Sequence, residues 1–172
     1  MKFADLQKDT HVRPFRFAVV FAAIVVVMLI SQQAKSQTAQ HVNWTTSYEE
    51  ALDRAQQTNT PVMLYFTGSD WCPWCQKLKA EVLETAEFAA WLDSRVIPIH
   101  VDFPRKTSLP AQLTQQNNEL LNKYRPHLTG FPTVLFIKPS GTVVGKMRYE
   151  QGGVRNWIHK AQAIIGQLDK KT

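Results

Sequence analysis

The chain has 172 residues, of which 44% are apolar and only 7 are glycine. This length and composition favour one packed domain with a short appendage, and they exclude a disordered or low-complexity protein. The formal net charge is +6, but the Lys and Arg residues are scattered instead of forming a concentrated basic patch. Nucleic acid is therefore not an expected partner.

The N-terminal region carries a charged leader followed by an apolar run. Residues 17–30 read FAVVFAAIVVVMLI without a charge, and Lys and Arg outnumber Asp in the leader before them. A helix of that length rises about 21 Å, which is short of the roughly 30 Å hydrocarbon core of a bilayer. The pattern favours the hydrophobic region of a secretory signal peptide.

Within Ala34-Lys35-Ser36, small residues at the spacing that a signal peptidase reads offer a cleavage site after this run, and a polar stretch rich in Gln, Ser and Thr follows. An uncleaved membrane anchor formed by residues 17–30 is the main alternative, and a buried core helix is a third interpretation. With a signal or an anchor, the positive flank stays inside and the body is exported, to the periplasm or beyond. We expect residues 1–40 to be a signal or anchor plus linker, and residues 41–172 to form the domain.

The first predicted elements of the domain are a helix, a strand and a helical pair. A capping box at 47–50, with the sequence SYEE, opens a helix that extends toward Gln57. The apolar and aromatic run at 61–67 has strand character. Beyond it, a mostly apolar face predicts a helix that breaks near Glu84, where Thr85 caps a second short helix.

The next strand is predicted at 96–101, with the sequence VIPIHV. Pro98 lies inside this strand and has no N–H to donate. It must therefore lie at a sheet edge, in a bulge, or where its nitrogen faces away from the hydrogen bonds to the neighbouring strand. A helix is expected to follow from about residue 110 to 124, and Pro126 ends it.

The C-terminal third predicts a hairpin and a last helix. The run FPTVLFI at 131–137 is a strand, and the turn at 139–141 leads into a partner strand at 142–149. An amphipathic helix then spans about 154–168. Strands that alternate with helices and end in a hairpin predict an α/β fold, with a mixed sheet of four to five strands and helices on both faces.

Both cysteines of the chain, Cys72 and Cys75, lie in the stretch SDWCPWC at 69–75. A bridge between them closes a very small loop, so it would constrain the unfolded chain little. The histidines lack the spacing that would complete a zinc site, and covalent haem needs histidine at position 76, which is glutamine. No metal or cofactor is therefore expected. A redox dithiol is the favoured interpretation, and an inert disulfide is the alternative.

The position of the pair at a strand-to-helix junction gives the two thiols different roles. Pro73 suits the first turn of a helix, which places Cys72 at the helix N-terminus and Cys75 one turn inside. Unpaired N–H groups and the positive end of the helix dipole favour a thiolate at Cys72. We expect Cys72 to attack and Cys75 to resolve the mixed disulfide.

Aromatic residues flank the cysteines. Trp71 and Trp74 are predicted to form an apolar rim that binds extended chains, although core packing of Trp74 is an equal alternative. The remaining tryptophans are expected in the core, namely Trp44, Trp91 and Trp157.

Three ionisable residues are candidates for an effect on the thiols. Asp70 would raise the pKa of a nearby thiol, but as an exposed charge it is expected to have little effect. His100 and His127 are candidate proton relays, although a lone histidine is more often a surface or satisfied residue.

The chain resembles the thioredoxin superfamily over about residues 42–168. The resemblance is carried by TGSDWCPWCQKLKAEVLETAEFAAWL, VDFPR and GFPTVLFIKPSG, which look closest to a group of exported bacterial thioredoxin-like proteins. It implies a thioredoxin fold in which Cys72 and Cys75 are the redox pair. It also implies that Pro132 is a cis-proline facing them and that the Phe131 backbone pairs with the substrate chain.

Two departures from the family pattern stand out. Thioredoxins bury an acidic residue before the motif and pair it with a lysine, and those places fall near Tyr65 and Pro98 here. The usual proton relay therefore looks absent. The dipeptide Pro73-Trp74 is nearer the Pro-Tyr of glutaredoxins than the Gly-Pro of thioredoxins.

The resemblance implies an exported thiol–disulfide oxidoreductase. Its expected partners are protein thiol or disulfide substrates and a redox partner protein, and a membrane if the N-terminal segment is kept. The direction of electron flow stays open between reductase, oxidase and isomerase. The alternative from another class is a non-catalytic module that binds extended polypeptides.

Overall fold

The computed structural model describes residues 42–93 and 95–167. The predicted signal or anchor at 17–30 lies outside the described residues. Within the described part of the chain, no helix combines the length and the apolar character needed to cross a membrane.

A mixed four-stranded sheet forms the centre of the domain, and its strand order is β2-β1-β3-β4. Strands β1 and β2 are parallel, whereas β3 is antiparallel to both β1 and β4. This confirms the predicted mixed sheet of an α/β fold. The four strands are β1 (Val62–Thr67), β2 (Ile97–Asp102), β3 (Thr133–Ile137) and β4 (Val143–Met147).

Five α-helices surround this sheet, and two of them begin where their capping residues predict. The Ser47 hydroxyl accepts the backbone N–H of Glu50 at 3.3 Å, and the Thr85 hydroxyl accepts that of Phe88 at 3.2 Å. The helices are α1 (Tyr48–Thr58), α2 (Pro73–Leu78), α3 (Ala86–Leu92), α4 (Ala111–Lys123) and α5 (Gly153–Ile165).

Two shorter helical segments join these elements. A π-helical turn over Lys79–Leu83 continues α2, and a 3-10 turn over Arg125–His127 follows α4. The break near Glu84 is confirmed, but the π turn before it was not predicted. The last helix ends at Ile165, earlier than expected.

Alternate residues of β1 enter two separate cores, one on each face of the sheet, as a strand buried on both sides requires. Met63 and Tyr65 join the core beneath α2, α3 and α5, whereas Leu64 and Phe66 join the core beneath α1 and α4. Helices on both faces are therefore confirmed. Trp91 and Trp157 are buried in the first core, and Trp44 packs against it while partly exposed.

Pro98 is the second residue of β2, which lies on the outer edge of the sheet. The N–H of Ile97 donates inward to Pro61 at 2.9 Å, so the nitrogen of Pro98 points outward. There the backbone of Thr45 bridges β2, donating to the Pro98 carbonyl and accepting from the His100 N–H. The expectation of an edge position with a free N–H side is confirmed.

Candidate active site

Cys72 and Cys75 are joined by a disulfide bond, with their Cα atoms 5.2 Å apart. Cys72 is the N-cap residue of α2, and Pro73 occupies its first turn. The predicted placement of the pair at the start of a helix is confirmed. Both residues are buried, with Cys72 4% and Cys75 1% exposed.

A backbone donor is directed at the sulfur of Cys72. The N–H of Cys75 points at the Cys72 Sγ atom at 3.2 Å. Because α2 runs directly into the π turn, the helical segment behind this sulfur spans 73–83. After reduction, the N–H group and the helix dipole would favour the thiolate form of Cys72.

Tyr65 anchors the backbone of Cys75 to the sheet. Its hydroxyl donates to the Cys75 carbonyl at 3.1 Å and accepts from the Thr67 hydroxyl at 3.0 Å. Burial raises the pKa of Tyr65 to about 12. The side chain that stands near the family's acidic position is thus a neutral hydrogen-bond donor and no proton acceptor at neutral pH.

A cavity of about 480 Å³ opens behind Cys75 and beneath the π turn. It is lined by Cys75, Tyr65, Thr67 and His100, and by Trp44 from residues 42–47, the arm before α1. His100 pairs with Tyr65 in the β1–β2 register, and the centroids of the two rings are 5.7 Å apart. The strand pairing thus brings an imidazole to the same cavity as the second cysteine.

Burial lowers the pKa of His100 below its ordinary value, against the opposing attraction of Asp102. The imidazole is therefore neutral at physiological pH. The other histidine considered as a relay, His127, is exposed on the 3-10 turn.

Trp74 lies on the surface with 55% of its area exposed, so the alternative of core packing is wrong. Its ring lies 5.4 Å from that of Tyr149, and the Lys77 ammonium lies over both rings. A shallow depression of about 380 Å³ is lined by Trp74, Pro132, Arg148, Tyr149 and Gln151.

Trp71 has a different environment from Trp74. Its Nε1 atom donates to the Phe103 carbonyl at 2.7 Å, and the Arg105 guanidinium lies 3.7 Å above its ring. A side chain at Gly68 would place its Cβ 2.3 Å from the indole, so glycine is required there. Trp71 is half-buried and joins the motif to the loop after β2, whereas Trp74 faces outward.

Asp70 binds that same loop through its carboxylate. It accepts the backbone N–H groups of Arg105 at 2.9 Å, Lys106 at 2.7 Å and Thr107 at 3.2 Å. These hydrogen bonds, led by that from Arg105, lower the pKa of Asp70. The expectation that Asp70 is a charge of little effect missed this role, because the partners lie far along the chain.

The Phe131–Pro132 peptide bond is cis, as the resemblance implied. Pro132 shares the depression with Trp74. The ring of Phe131 stacks on Phe103 at 5.3 Å and lies 5.9 Å from Trp71. The loop before β3 and the loop after β2 therefore meet beside the dithiol motif.

Among residues 42–93 and 95–167, no group of three or more His, Cys, Asp or Glu residues is arranged to hold a metal ion.

Known proteins resemble this chain in both sequence and structure. Residues 48–155 match the family described as a thioredoxin-like domain. A curated relative, the disulfide bond reductase DsbH of Chlamydia pneumoniae, is 36% identical over 134 residues, which cover 78% of this chain and 79% of the relative.

Two solved structures extend the comparison. One described as DsbH oxidoreductase superposes with a TM-score of 0.71 at 34% identity, covering 77% of this chain and 90% of its own. A thioredoxin from Thermus thermophilus gives a TM-score of 0.53 at 24% identity, covering 72% and 87% respectively, which supports the fold alone.

Proposed function

Since the chain belongs to the thioredoxin-like family and is a thiol–disulfide oxidoreductase, we propose that it reduces disulfide bonds of exported proteins through Cys72 and Cys75. The observation that carries the proposal is the cysteine pair at the start of α2, beside an exposed aromatic depression. The reductive direction is supported by the relative's name, disulfide bond reductase.

In the first step, the Cys72 thiolate attacks one sulfur of a client disulfide. The client S–S bond breaks, a bond forms between Cys72 and the client, and the other client sulfur leaves as a thiolate. The backbone N–H of Cys75 lowers the free energy of the attacking thiolate.

In the second step, Cys75 attacks the Cys72 sulfur and loses its proton. The mixed disulfide breaks, the second client sulfur leaves as a thiolate, and the Cys72–Cys75 bond closes. The client has gained two electrons. A redox partner protein must then return two electrons to the dithiol.

The depression formed by Trp74, Pro132, Arg148, Tyr149 and Gln151 is the proposed binding surface for the client. Exposed aromatic rings next to a nucleophile supply contact area for an extended chain. The Phe131 backbone, immediately before Pro132, would pair with that chain. Trp71 supports this surface from the side by holding the loop after β2.

The proposed location is outside the cytoplasm. The charged leader and the apolar run at 17–30 support export, with residues 1–40 as a signal or anchor plus linker. Residues 41–172 would form the exported domain.

Insulin reduction driven by dithiothreitol tests the activity. The wild-type domain should accelerate precipitation of the insulin B chain, and the paired substitution Cys72→Ser with Cys75→Ser should return the rate to that of dithiothreitol alone. A wild-type rate equal to the reagent control would instead favour the polypeptide-binding module.

A further inference from the structure

The second chemical step poses a problem that the two cysteines do not solve. Cys75 must lose a proton to attack, yet it is 1% exposed, and burial in apolar surroundings disfavours a thiolate. The Tyr65 hydroxyl already donates to the Cys75 carbonyl, and burial raises its pKa to about 12. Some other group must take the proton at neutral pH.

The cavity behind Cys75 provides a route for that proton. Its volume of about 480 Å³ holds several water molecules, since each occupies about 30 Å³ in the liquid. Hydroxyl and amide groups of Thr67, Ser69 and Gln76 line the route and provide hydrogen-bond partners for such waters. A proton leaving Cys75 can therefore travel through this cavity without crossing the client-binding surface.

We propose that His100 is the group that accepts the proton of Cys75, through water in this cavity, during the resolving step. The proposal rests on the proposed roles of Cys72 and Cys75. The position of His100 is determined by β2, because the register places it beside Tyr65. Trp44 also lines the cavity, and the centroid of its ring is 6.0 Å from that of the imidazole.

The proton balance of this step is simple. Cys75 is a thiol and His100 a neutral imidazole at the start. As the Cys75 sulfur bonds to the Cys72 sulfur, its proton passes to the imidazole, and the client sulfur leaves as a thiolate. The imidazolium then releases the proton to solvent or to that thiolate.

The other ionisable groups in or beside this cavity are already paired. The Lys79 ammonium pairs with the Glu84 carboxylate at 3.3 Å, and both side chains line the cavity. Asp102, beside His100 on β2, is engaged by the N–H and hydroxyl of Ser69. Burial lowers the pKa of His100, which makes the neutral, accepting form available at pH 7.

Stopped-flow reaction of the reduced domain with DTNB separates the two steps. Attack by Cys72 releases the first thionitrobenzoate at a rate that depends on reagent concentration. Closure of the disulfide by Cys75 releases the second thionitrobenzoate at a rate that is independent of reagent concentration. The wild-type rate of the second phase should rise with pH through the pKa of His100, below 6.5, and then stay level until the thiol itself ionises.

His100→Gln should remove the level region and slow the second phase about a hundredfold at pH 7, the lower end of general-base contributions. The deficit should shrink as the pH rises toward the pKa of the Cys75 thiol, because the thiolate then forms without a base. The first phase should be unchanged. The matched control is His127→Gln, whose exposed imidazole lies on the 3-10 turn and should alter neither phase.

Several outcomes overturn the inference. One is a wild-type second phase that rises steadily with pH and has no level region, a measurement that needs no variant. Another is a level region that survives His100→Gln, or that disappears in Glu84→Gln or Tyr65→Phe instead. A reaction that releases no second thionitrobenzoate would contradict the roles of the cysteines themselves, and so the proposed function.

Discussion

The carboxylate of Asp70 accepts the backbone N–H of Arg105 at 2.9 Å and so fastens the loop after β2 to the segment before the dithiol. Two further N–H groups of that loop donate to the same carboxylate. The Arg105 guanidinium lies over the ring of Trp71, next to Asp70 in the chain. The two contacts together hold one side of the candidate active site.

Asp70→Ala should therefore destabilise this loop and lower Tm by a few degrees at neutral pH. Since hydrogen bonds lower the folded-state pKa of Asp70, its contribution is present above the unfolded pKa and is lost as pH falls through the folded value. The difference in Tm between wild type and variant should thus narrow in acid. Thermal unfolding at a series of pH values measures both effects.

The control for that substitution is Asp53→Ala, which removes an exposed carboxylate from α1. It should not lower Tm. An equal loss in the two variants, or a difference in Tm that does not narrow as the pH is lowered, would contradict the role of the Asp70 hydrogen bonds.

Cys75→Ser should let the first exchange step proceed and block the second, so mixed disulfides with client proteins accumulate through Cys72. Cys72→Ser should trap almost none, since the remaining thiol, Cys75, is buried in the first turn of α2 and lines the cavity. Non-reducing gels of the exported protein, compared with reduced samples, measure the complexes. If Cys75→Ser is folded and exported yet traps nothing, resolution by Cys75 is wrong.

The two thiols of the reduced protein should also differ in their rates of alkylation. Cys72 should react with iodoacetamide well below pH 8.5, the ordinary thiol pKa, because the N–H of Cys75 is directed at its sulfur. Cys75 should react slowly throughout. Mass spectrometry of timed digests gives both alkylation rates. Equal rates for the two residues would show that the helix N-terminus does not favour the thiolate of Cys72.

Trp74→Ala should slow the reduction of protein disulfides more than that of small disulfides, because it removes the exposed ring of the depression. Loss of such a contact residue should lower kcat/KM for a protein client about five- to tenfold. The rate with DTNB should hardly change, which makes the small disulfide an internal control. A matching loss with both substrates would indicate damage to the dithiol instead of lost binding.

A fusion of residues 1–40 to a reporter enzyme that is active only outside the cytoplasm should be exported and active. Val25→Asp should abolish its activity, because a charge in the middle of the apolar run opposes insertion. Val25→Leu, which keeps the run apolar, should leave the reporter active. A full-length protein found entirely in the cytosol would contradict the proposed location.

Local signals in the sequence predicted much of the fold. Ser47 and Thr85 cap helices through hydrogen bonds to residues three positions away, so their pattern is readable without any tertiary information. The same holds for Cys72 and Pro73 at the start of α2. Strands β1, β2 and β3 are predictable as short apolar runs, and β4 is predictable from the hairpin turn at 139–141.

The rest depends on contacts between residues far apart in sequence. The bonds from Asp70 reach backbone groups more than thirty positions away, and the pairing of His100 with Tyr65 depends on strand register. The π turn at Lys79–Leu83 also has a tertiary origin, since Val82 and Leu83 are both buried in the core. An apolar periodicity of three and four is equally compatible with an unbroken α-helix.

The outer edge of β2 is protected from pairing with strands of unfolded client chains. Exposed strands in a client add readily to any free sheet edge, and such pairing leads to aggregation. Here Pro98 lacks the N–H that a visiting strand would use, and Thr45 already occupies the neighbouring backbone positions. A client strand would have to displace the arm before it could pair with β2. The same arm contributes Trp44 to the cavity behind Cys75, so one short segment shields both the sheet and the buried thiol from the chains that the protein reduces.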